Sequence, residues 1–183
     1  HKFDLVPLID SKNNILDIFF WEDFLTESDK LVELDLPVFI MAGGKGSRLA
    51  PFTDVLPKPL VPISGKTVIE RIIEQFTKFK VDSFYISINY KSKILRAFFE
   101  ELNPDYKINF IQEDQPLGTG GSLVGLSGKL EGNFILTNCD VIFDIDIPDL
   151  VKFHNAENNT ITVVASTKEF QLPYGNISSN ILP

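Results

Sequence analysis

The chain has 183 residues, of which 44% are hydrophobic and 23% are charged. This length and composition fit one globular domain with a small appendage, and they exclude disordered, collagen-like and coiled-coil proteins. The formal net charge of -8 repels phosphates, so we expect neither nucleic acid nor a membrane surface as a partner.

The single cysteine, Cys139, cannot form an internal disulfide, and no cationic stretch leads into an apolar run at the N-terminus. The longest apolar runs, such as Val38 to Ala42, are far shorter than the roughly 20 residues needed to span a bilayer. We therefore expect a cytoplasmic protein that is not embedded in a membrane.

The N-terminal part is predicted to form a hairpin. Residues 3–9 and 15–20 are strand-like apolar segments, and residues 10–14 supply the turn. A short acidic helix is predicted at 21–25, and the charged stretch 26–35 is typical of a linker. We expect a domain boundary near residue 36.

Beyond this boundary, short apolar strands alternate with longer segments of helical periodicity, which is typical of a parallel sheet covered by helices. Strands are predicted at 38–41, 83–88, 107–111, 134–136 and 160–165, and helices at 66–79, 91–102, 122–130 and 148–156.

A glycine-rich loop, MAGGKGSRL over residues 41–49, follows the first of these strands. Glycines let backbone N–H groups approach phosphate oxygens, a helix beginning there adds a favourable dipole, and Arg48 can bind two phosphate oxygens at once. A dinucleotide fingerprint would need glycine at Leu49, and a Walker loop would need glycine at Leu60. The alternative is a flexible turn with a surface arginine.

Prolines on both sides of Lys58 stiffen the next stretch, LPKPLVP over residues 56–62. They deny it a regular helix and hold the lysine on an extended loop as a pre-placed cation. By itself this element also fits a proline-rich surface connection.

The run MAGGKGSRLAPFTDVLPKPLVPISGKTVI, residues 41–69, resembles the signature region of the sugar-1-phosphate nucleotidyltransferases. The stretches PLGTGG (116–121) and TNCD (137–140) agree with it, so the resemblance covers roughly residues 37 to 175. It implies a three-layer α/β/α Rossmann-like nucleotidyltransferase domain with a mainly parallel sheet, truncated at its C-terminal side.

The resemblance also implies a reaction between a nucleoside triphosphate and a sugar 1-phosphate. The sugar phosphate is already ionised and needs no general base, so catalysis becomes positioning and charge neutralisation. Arg48 would hold the leaving pyrophosphate, and Lys58 would bridge the α-phosphate and the sugar phosphate. The implied nucleotide-binding residues are Ala42, Gly43, Gly44, Gly46, Ser47, Glu113 and Gly118.

The resemblance places Mg²⁺ on Asp140, the third residue of the Asn138-x-Asp140 pattern. A hard carboxylate oxygen at a strand terminus suits this ion. The alternative is an ordinary turn aspartate. Cys139 stands where the family most often has glycine, and nothing in the sequence pairs it with a histidine base.

Glu113 falls where thymidylyl-transferring members carry a glutamine that faces the base. A carboxylate offers only acceptors, which suit the adjacent N1–H and N2–H₂ donors of guanine. We therefore favour GTP, with thymidylyl, cytidylyl or uridylyl transfer as alternatives. A Glu113 that points to solvent is the competing interpretation, and a non-catalytic nucleotide-sensing module is the rival function.

Residues 1–30 have a separate resemblance to the tail of a CBS domain, carried by VPLID (6–10) and LDIFFWEDF (16–24). We thus expect a CBS remnant at 1–30, a linker at 31–36 and the N-terminal portion of the nucleotidyltransferase domain at 37–183. Both ends suggest a fragment of a longer polypeptide that turns over poorly alone. Relatives commonly assemble, which leaves a homo-oligomer open.

Overall fold

A computed structural model of the chain describes residues 5–11, 14–20, 32–115, 118 and 120–167. The chain divides into two compact units, His1–Pro148 and Asp149–Pro183. The described strands are β1 (Leu5–Ile9), β2 (Ile15–Phe20), β3 (Val38–Met41), β4 (Pro62–Ile63), β5 (Lys66–Thr67), β6 (Ser83–Ile88), β7 (Lys107–Gln112) and β8 (Ile135–Asn138). The described α-helices are α1 (Phe52–Val55), α2 (Val68–Thr77), α3 (Ser92–Leu102) and α4 (Ile147–Ala156).

The predicted hairpin is present, with β1 and β2 paired antiparallel. Its turn is closed by Asp10, whose backbone N–H donates to the Asn14 carbonyl at 2.9 Å and whose Oδ1 accepts from the Asn14 N–H at 2.8 Å. Side chains of this type stabilise turns by such local hydrogen bonds. The predicted helix at 21–25 and the linker up to residue 31 lie outside the described residues.

The centre of the first unit is a four-stranded sheet in the order β7-β6-β3-β8, with every neighbouring pair parallel. Phe39, Ile40 and Phe84 are fully buried in it. Because all four strands run the same way, their carboxyl ends meet at one edge, where ligands of open α/β sheets bind. The predicted parallel sheet is confirmed.

Two amphipathic helices cover one face of this sheet. Helix α2 starts at a capping box formed by Thr67 and Glu70. Its Phe76 ring packs edge to face on Phe84 in β6, with 6.5 Å between ring centroids. In α3, Phe99 packs on Phe110 of β7 at 6.0 Å.

The opposite face is covered by a 3-10 helix over Gly121–Leu126, where a short helix was predicted at 122–130. Leu126 packs in a cluster with Phe39 and Ile111. Gly125 explains the close approach, because a Cβ there would lie 2.4 Å from Cγ2 of Ile111. The segment thus packs directly on the sheet, and the predicted short helix is present as a 3-10 helix that ends at Leu126.

Two strands predicted in the C-terminal part of the chain differ from the observed structure. The strand expected at 134–136 is β8, shifted to Ile135–Asn138. No strand forms at 160–165, where Ile161 and Val163 are 76% and 79% exposed. Strand propensity reflects packing against neighbouring strands, so β-branched residues alone do not make one. Within the described residues, no helix is long and apolar enough to cross a membrane.

Candidate active site

A cleft of about 390 Å³ opens at the carboxyl edge of the sheet, a size typical of small-molecule sites. Nine of the ten residues predicted from sequence line it: Gly43, Gly44, Gly46, Ser47, Arg48, Lys58, Glu113, Gly118 and Asp140. The sheet accounts for this convergence, because the loop after β3, the residue after β7 and the turn after β8 all leave its carboxyl ends.

The glycine loop is held in shape by the residues that follow it. Gly46 has a φ of +68°, and a Cβ there would lie 2.9 Å from both Lys58 Cβ and Thr53 Cγ2. The Thr53 hydroxyl donates to the Gly46 carbonyl at 2.9 Å. Position 46 therefore requires glycine for its backbone conformation and for the close approach of Lys58.

Ala42 departs from the expectation that it binds nucleotide. It is buried, it does not line the cleft, and its N–H donates to the Ser87 carbonyl at 3.1 Å and to Ser87 Oγ at 3.3 Å. This amide is already satisfied by β6. Ala42 instead fixes the start of the loop on the neighbouring strand.

The expected helix dipole after the loop is also absent. The segment that follows is a 3-10 helix of three residues, Ser47–Leu49, and α1 has four residues. Since the macrodipole sums over aligned peptide units, elements this short contribute little. A negatively charged ligand at this end of the cleft would therefore meet backbone N–H groups and the exposed Arg48.

Lys58 begins a 3-10 helix, Lys58–Leu60, and does not sit on the extended loop that its flanking prolines predicted. Pro57, Pro59 and Leu60 are buried, so the element is anchored by its apolar residues while the lysine remains partly exposed. Its Nζ lies 2.5 Å from Oδ2 of Asp140. A cation and an anion from distant parts of the chain therefore meet inside the cleft.

Glu113 is 8% exposed, which excludes the interpretation that it points to solvent. A Cβ at Gly43 would lie 3.0 Å from Oε1 of Glu113, so the carboxylate packs against the backbone of the glycine loop. The amides of Asn89 and Gln112 donate to the Glu113 main-chain carbonyl at 2.7 and 3.2 Å. These bonds fix the backbone and leave the carboxylate to the cleft.

Cys139 is buried beneath the same edge, with its N–H donating to the Met41 carbonyl at 3.1 Å. Burial raises the pKa of its thiol to about 11, against the smaller lowering effect of Lys58. The neutral thiol is a poor nucleophile. This agrees with the expectation that Cys139 is not catalytic.

Among the described residues, no group of three or more His, Cys, Asp or Glu side chains forms a cation site. Asp140 nevertheless fits Mg²⁺, because its carboxylate is 43% exposed in a cleft suited to phosphates. Magnesium is commonly held by one or two carboxylates together with substrate phosphates and water.

Two lining serines escaped the sequence analysis, Ser87 and Ser122. Ser87 lies inside the buried run of β6, where nothing in the sequence separates a structural serine from a functional one. Ser122 directly follows the GTGG stretch, so its position next to a loop motif was the available signal.

Comparison with known proteins decides the family. Residues 38–180 match the Nucleotidyl transferase family. The chain belongs to it. The predicted α/β nucleotidyltransferase fold is likewise confirmed by the solved structures that the chain resembles.

Several Nucleotidyl transferase relatives resemble the chain at about one third identity. It is 33% identical over 150 residues to the bifunctional protein GlmU of Methanococcus maripaludis, covering 80% of this chain and 35% of that protein. It is 36% identical over 141 residues to mannose-1-phosphate guanyltransferase of Hypocrea jecorina, covering 74% and 39%. The chain thus spans well under half the length of these curated relatives.

A solved structure matches at a similar level. The crystal structure of HddC from Yersinia pseudotuberculosis complexed with GMP-PN superimposes with a TM-score of 0.59 and 33% identity, over 65% of this chain and 54% of that one. The match supports the same arrangement of sheet and helices in both proteins.

Proposed function

We propose that this chain forms the nucleotide-binding part of a sugar-1-phosphate nucleotidyltransferase that uses GTP. The observation that carries the proposal is the meeting of the glycine loop, Arg48, Lys58 and Asp140 in one cleft. A purely nucleotide-sensing module, the rival function, has little use for a leaving-group arginine together with a metal carboxylate.

The proposed reaction joins two phosphates. An oxygen of the sugar 1-phosphate attacks the α-phosphorus of the nucleoside triphosphate, and the bond from this phosphorus to the oxygen bridging the β-phosphate breaks. The bridging oxygen leaves with its electron pair as part of pyrophosphate, and a nucleotide sugar forms. Because both reactants are anions, the protein's main task is to bring them together and neutralise their charge.

Each cleft residue has a task in this scheme. Backbone N–H groups of the glycine loop would bind the triphosphate, and Arg48 would hold the departing pyrophosphate. Lys58 would leave Asp140 to contact the α-phosphate and the sugar phosphate. Asp140 would then hold Mg²⁺, which when bound supplies further charge neutralisation at the phosphates.

Three observations support guanine as the base. The Glu113 carboxylate is buried against the loop at Gly43, and it offers the paired acceptors that guanine N1–H and N2–H₂ require. The mannose-1-phosphate guanyltransferase relative is named for guanylyl transfer, and HddC is solved with a guanine nucleotide analogue. Thymine or uracil would present a carbonyl oxygen to Glu113, which is unfavourable.

The domain assignment stays a proposal, with a CBS remnant at 1–30, a linker at 31–36 and the nucleotidyltransferase domain from residue 37. The observed hairpin is compatible with the remnant, but two antiparallel strands occur in many folds. Cytoplasmic location and homo-oligomerisation likewise stay predictions.

Calorimetric titration of the chain with GTP, dTTP, CTP, UTP and ATP, each with Mg²⁺, tests the proposal. We expect GTP to bind tightest. Glu113→Gln should weaken the binding of GTP by about tenfold and raise the affinity for pyrimidine nucleotides relative to that for GTP. The control is Glu131→Gln, since Glu131 is exposed and does not line the cleft.

The outcomes separate the two levels of the proposal. If a pyrimidine nucleotide bound tightest, the proposal of nucleotidyl transfer would stand and the proposed preference for guanine would be wrong. An unchanged preference in Glu113→Gln would remove Glu113 from base recognition. No binding of any nucleotide by the chain would contradict the proposed function itself.

A further inference from the structure

The cleft is lined by one fully buried side-chain oxygen that has no hydrogen-bond partner among the described residues. Ser122 lines the cleft and is 2% exposed, yet its Oγ has no hydrogen-bond partner among the described residues. Ser87 provides the contrast, since it is equally buried in the same cleft and its Oγ accepts from the Ala42 N–H.

A buried hydroxyl without a partner destabilises a protein, so such groups are rare. The 3-10 helix that carries Ser122 packs on the sheet through Leu126 and through the close approach of Gly125 to Ile111. A buried, unsatisfied hydroxyl that lines a cleft is explained if its partner arrives with the ligand.

The position of Ser122 indicates which part of the ligand it meets. The cations suited to phosphates, Arg48 and Lys58, belong to the connection between β3 and β4, and the proposed metal ligand Asp140 belongs to the turn after β8. Ser122 instead belongs with Glu113, because its 3-10 helix packs on β7, the strand that Glu113 follows. This side of the cleft is free of cationic lining side chains.

We propose that the Ser122 hydroxyl hydrogen-bonds the nucleoside portion of the bound nucleotide and adds to the specificity that Glu113 provides. This inference rests on the proposed function. A hydroxyl can donate and accept, so it can pair with a base carbonyl, a ring nitrogen or an exocyclic amine. Ser122 would act in binding and would take no part in the phosphate chemistry.

The test compares Ser122→Ala with two matched serine variants by calorimetry and thermal unfolding. Ser122→Ala should weaken the binding of GTP and GMP by about three- to tenfold, the range for one lost neutral hydrogen bond. The affinity for inorganic tripolyphosphate should be unchanged. Its unfolding temperature without ligand should stay equal or rise, because the substitution removes an unsatisfied group.

The controls separate a binding role from a structural one. Ser87→Ala breaks the bond to Ala42 and should lower the unfolding temperature. Ser127→Ala changes an exposed turn residue outside the cleft and should alter neither measurement.

Unchanged GTP affinity in Ser122→Ala, with the parent chain binding GTP, would overturn this inference and leave the proposed function intact. Equal weakening of GTP and tripolyphosphate, or weakening accompanied by a lower unfolding temperature, would also overturn it. If the parent chain bound no nucleotide in the five-nucleotide titration, the inference would fail together with the proposed function.

Discussion

The Nζ of Lys58 and Oδ2 of Asp140 lie 2.5 Å apart although the two residues are 82 positions apart in the sequence. The contact joins the proline-flanked element to the turn after β8. Both side chains remain partly exposed, at 21% and 43%, so each can exchange its partner for a ligand group. The pair is thus locally neutral, and in the proposed function phosphates and a cation would replace the contacts that the two side chains make with each other.

Removing the positive charge of Lys58 should weaken phosphate binding more than it destabilises the fold. We expect Lys58→Ala to weaken nucleoside triphosphate binding by about tenfold or more and to change the free energy of unfolding by less than about 1 kcal/mol, as is usual for exposed ion pairs. Calorimetry and urea unfolding measure the two effects. Lys78→Ala, at an exposed lysine after α2, is the control. A comparable loss of affinity in that variant would contradict a specific role for Lys58.

Replacing the Asp140 carboxylate should change how strongly nucleotide binding depends on Mg²⁺. In Asp140→Asn, Mg²⁺ should no longer strengthen nucleotide binding to the extent seen in the parent chain, because a neutral amide is a weaker ligand for a hard dication. Titrations with and without Mg²⁺ give the ratio of affinities. Asp82→Asn, at an exposed aspartate before β6, should retain the full ratio. An unaltered ratio in Asp140→Asn would exclude this metal site.

The glycine loop offers two substitutions that should differ in their effect on stability. Gly46→Ala places a Cβ 2.9 Å from Lys58 and Thr53 at a φ of +68°, so it should lower the free energy of unfolding by about 1 to 3 kcal/mol. A Cβ at Gly44 meets nothing within 4 Å, and Gly44→Ala should be nearly neutral. Urea unfolding compares them. Equal midpoints for the two variants would show that the loop relaxes freely.

Thr53 should stabilise the same loop through its hydroxyl. Thr53→Val keeps the buried volume but removes the donor to the Gly46 carbonyl, and we expect a loss of about 1 kcal/mol. Thr53→Ser retains the donor and should recover part of this, although it loses a buried methyl group. Thermal unfolding of the three chains decides the matter: a valine variant more stable than the serine variant would assign the role of Thr53 to packing alone.

Tyr106 should make the chain sensitive to alkaline pH. Burial, followed by the nearby charge of Glu70, raises the pKa of its phenol from 10.0 to about 12. Between these values the unfolded chain releases a proton that the folded chain retains, so stability falls as pH rises above about 10. The free energy of unfolding, measured from pH 9 to pH 11, should therefore fall less steeply for Tyr106→Phe than for the parent chain. Identical slopes for the two chains would contradict the raised pKa.

Local sequence patterns determined much of this structure. Helix α2 follows from apolar spacing over Val68–Thr77 and from the capping residues Thr67 and Glu70. The glycine loop and Asp140 were placed at strand ends by short apolar runs. These features rest on interactions within a few residues, which a sequence carries directly.

Tertiary contacts decided the rest. The 3-10 helix at Gly121–Leu126 depends on how closely Gly125 meets Ile111, and the β-branched run at 160–165 formed no strand without a partner. The backbone N–H of Ala42 donates a hydrogen bond to Ser87 on the neighbouring strand. The sequence alone predicted which residue types meet in the cleft, but only packing between distant segments decided which buried polar groups are satisfied and which, like the Ser122 hydroxyl, have no partner among the described residues.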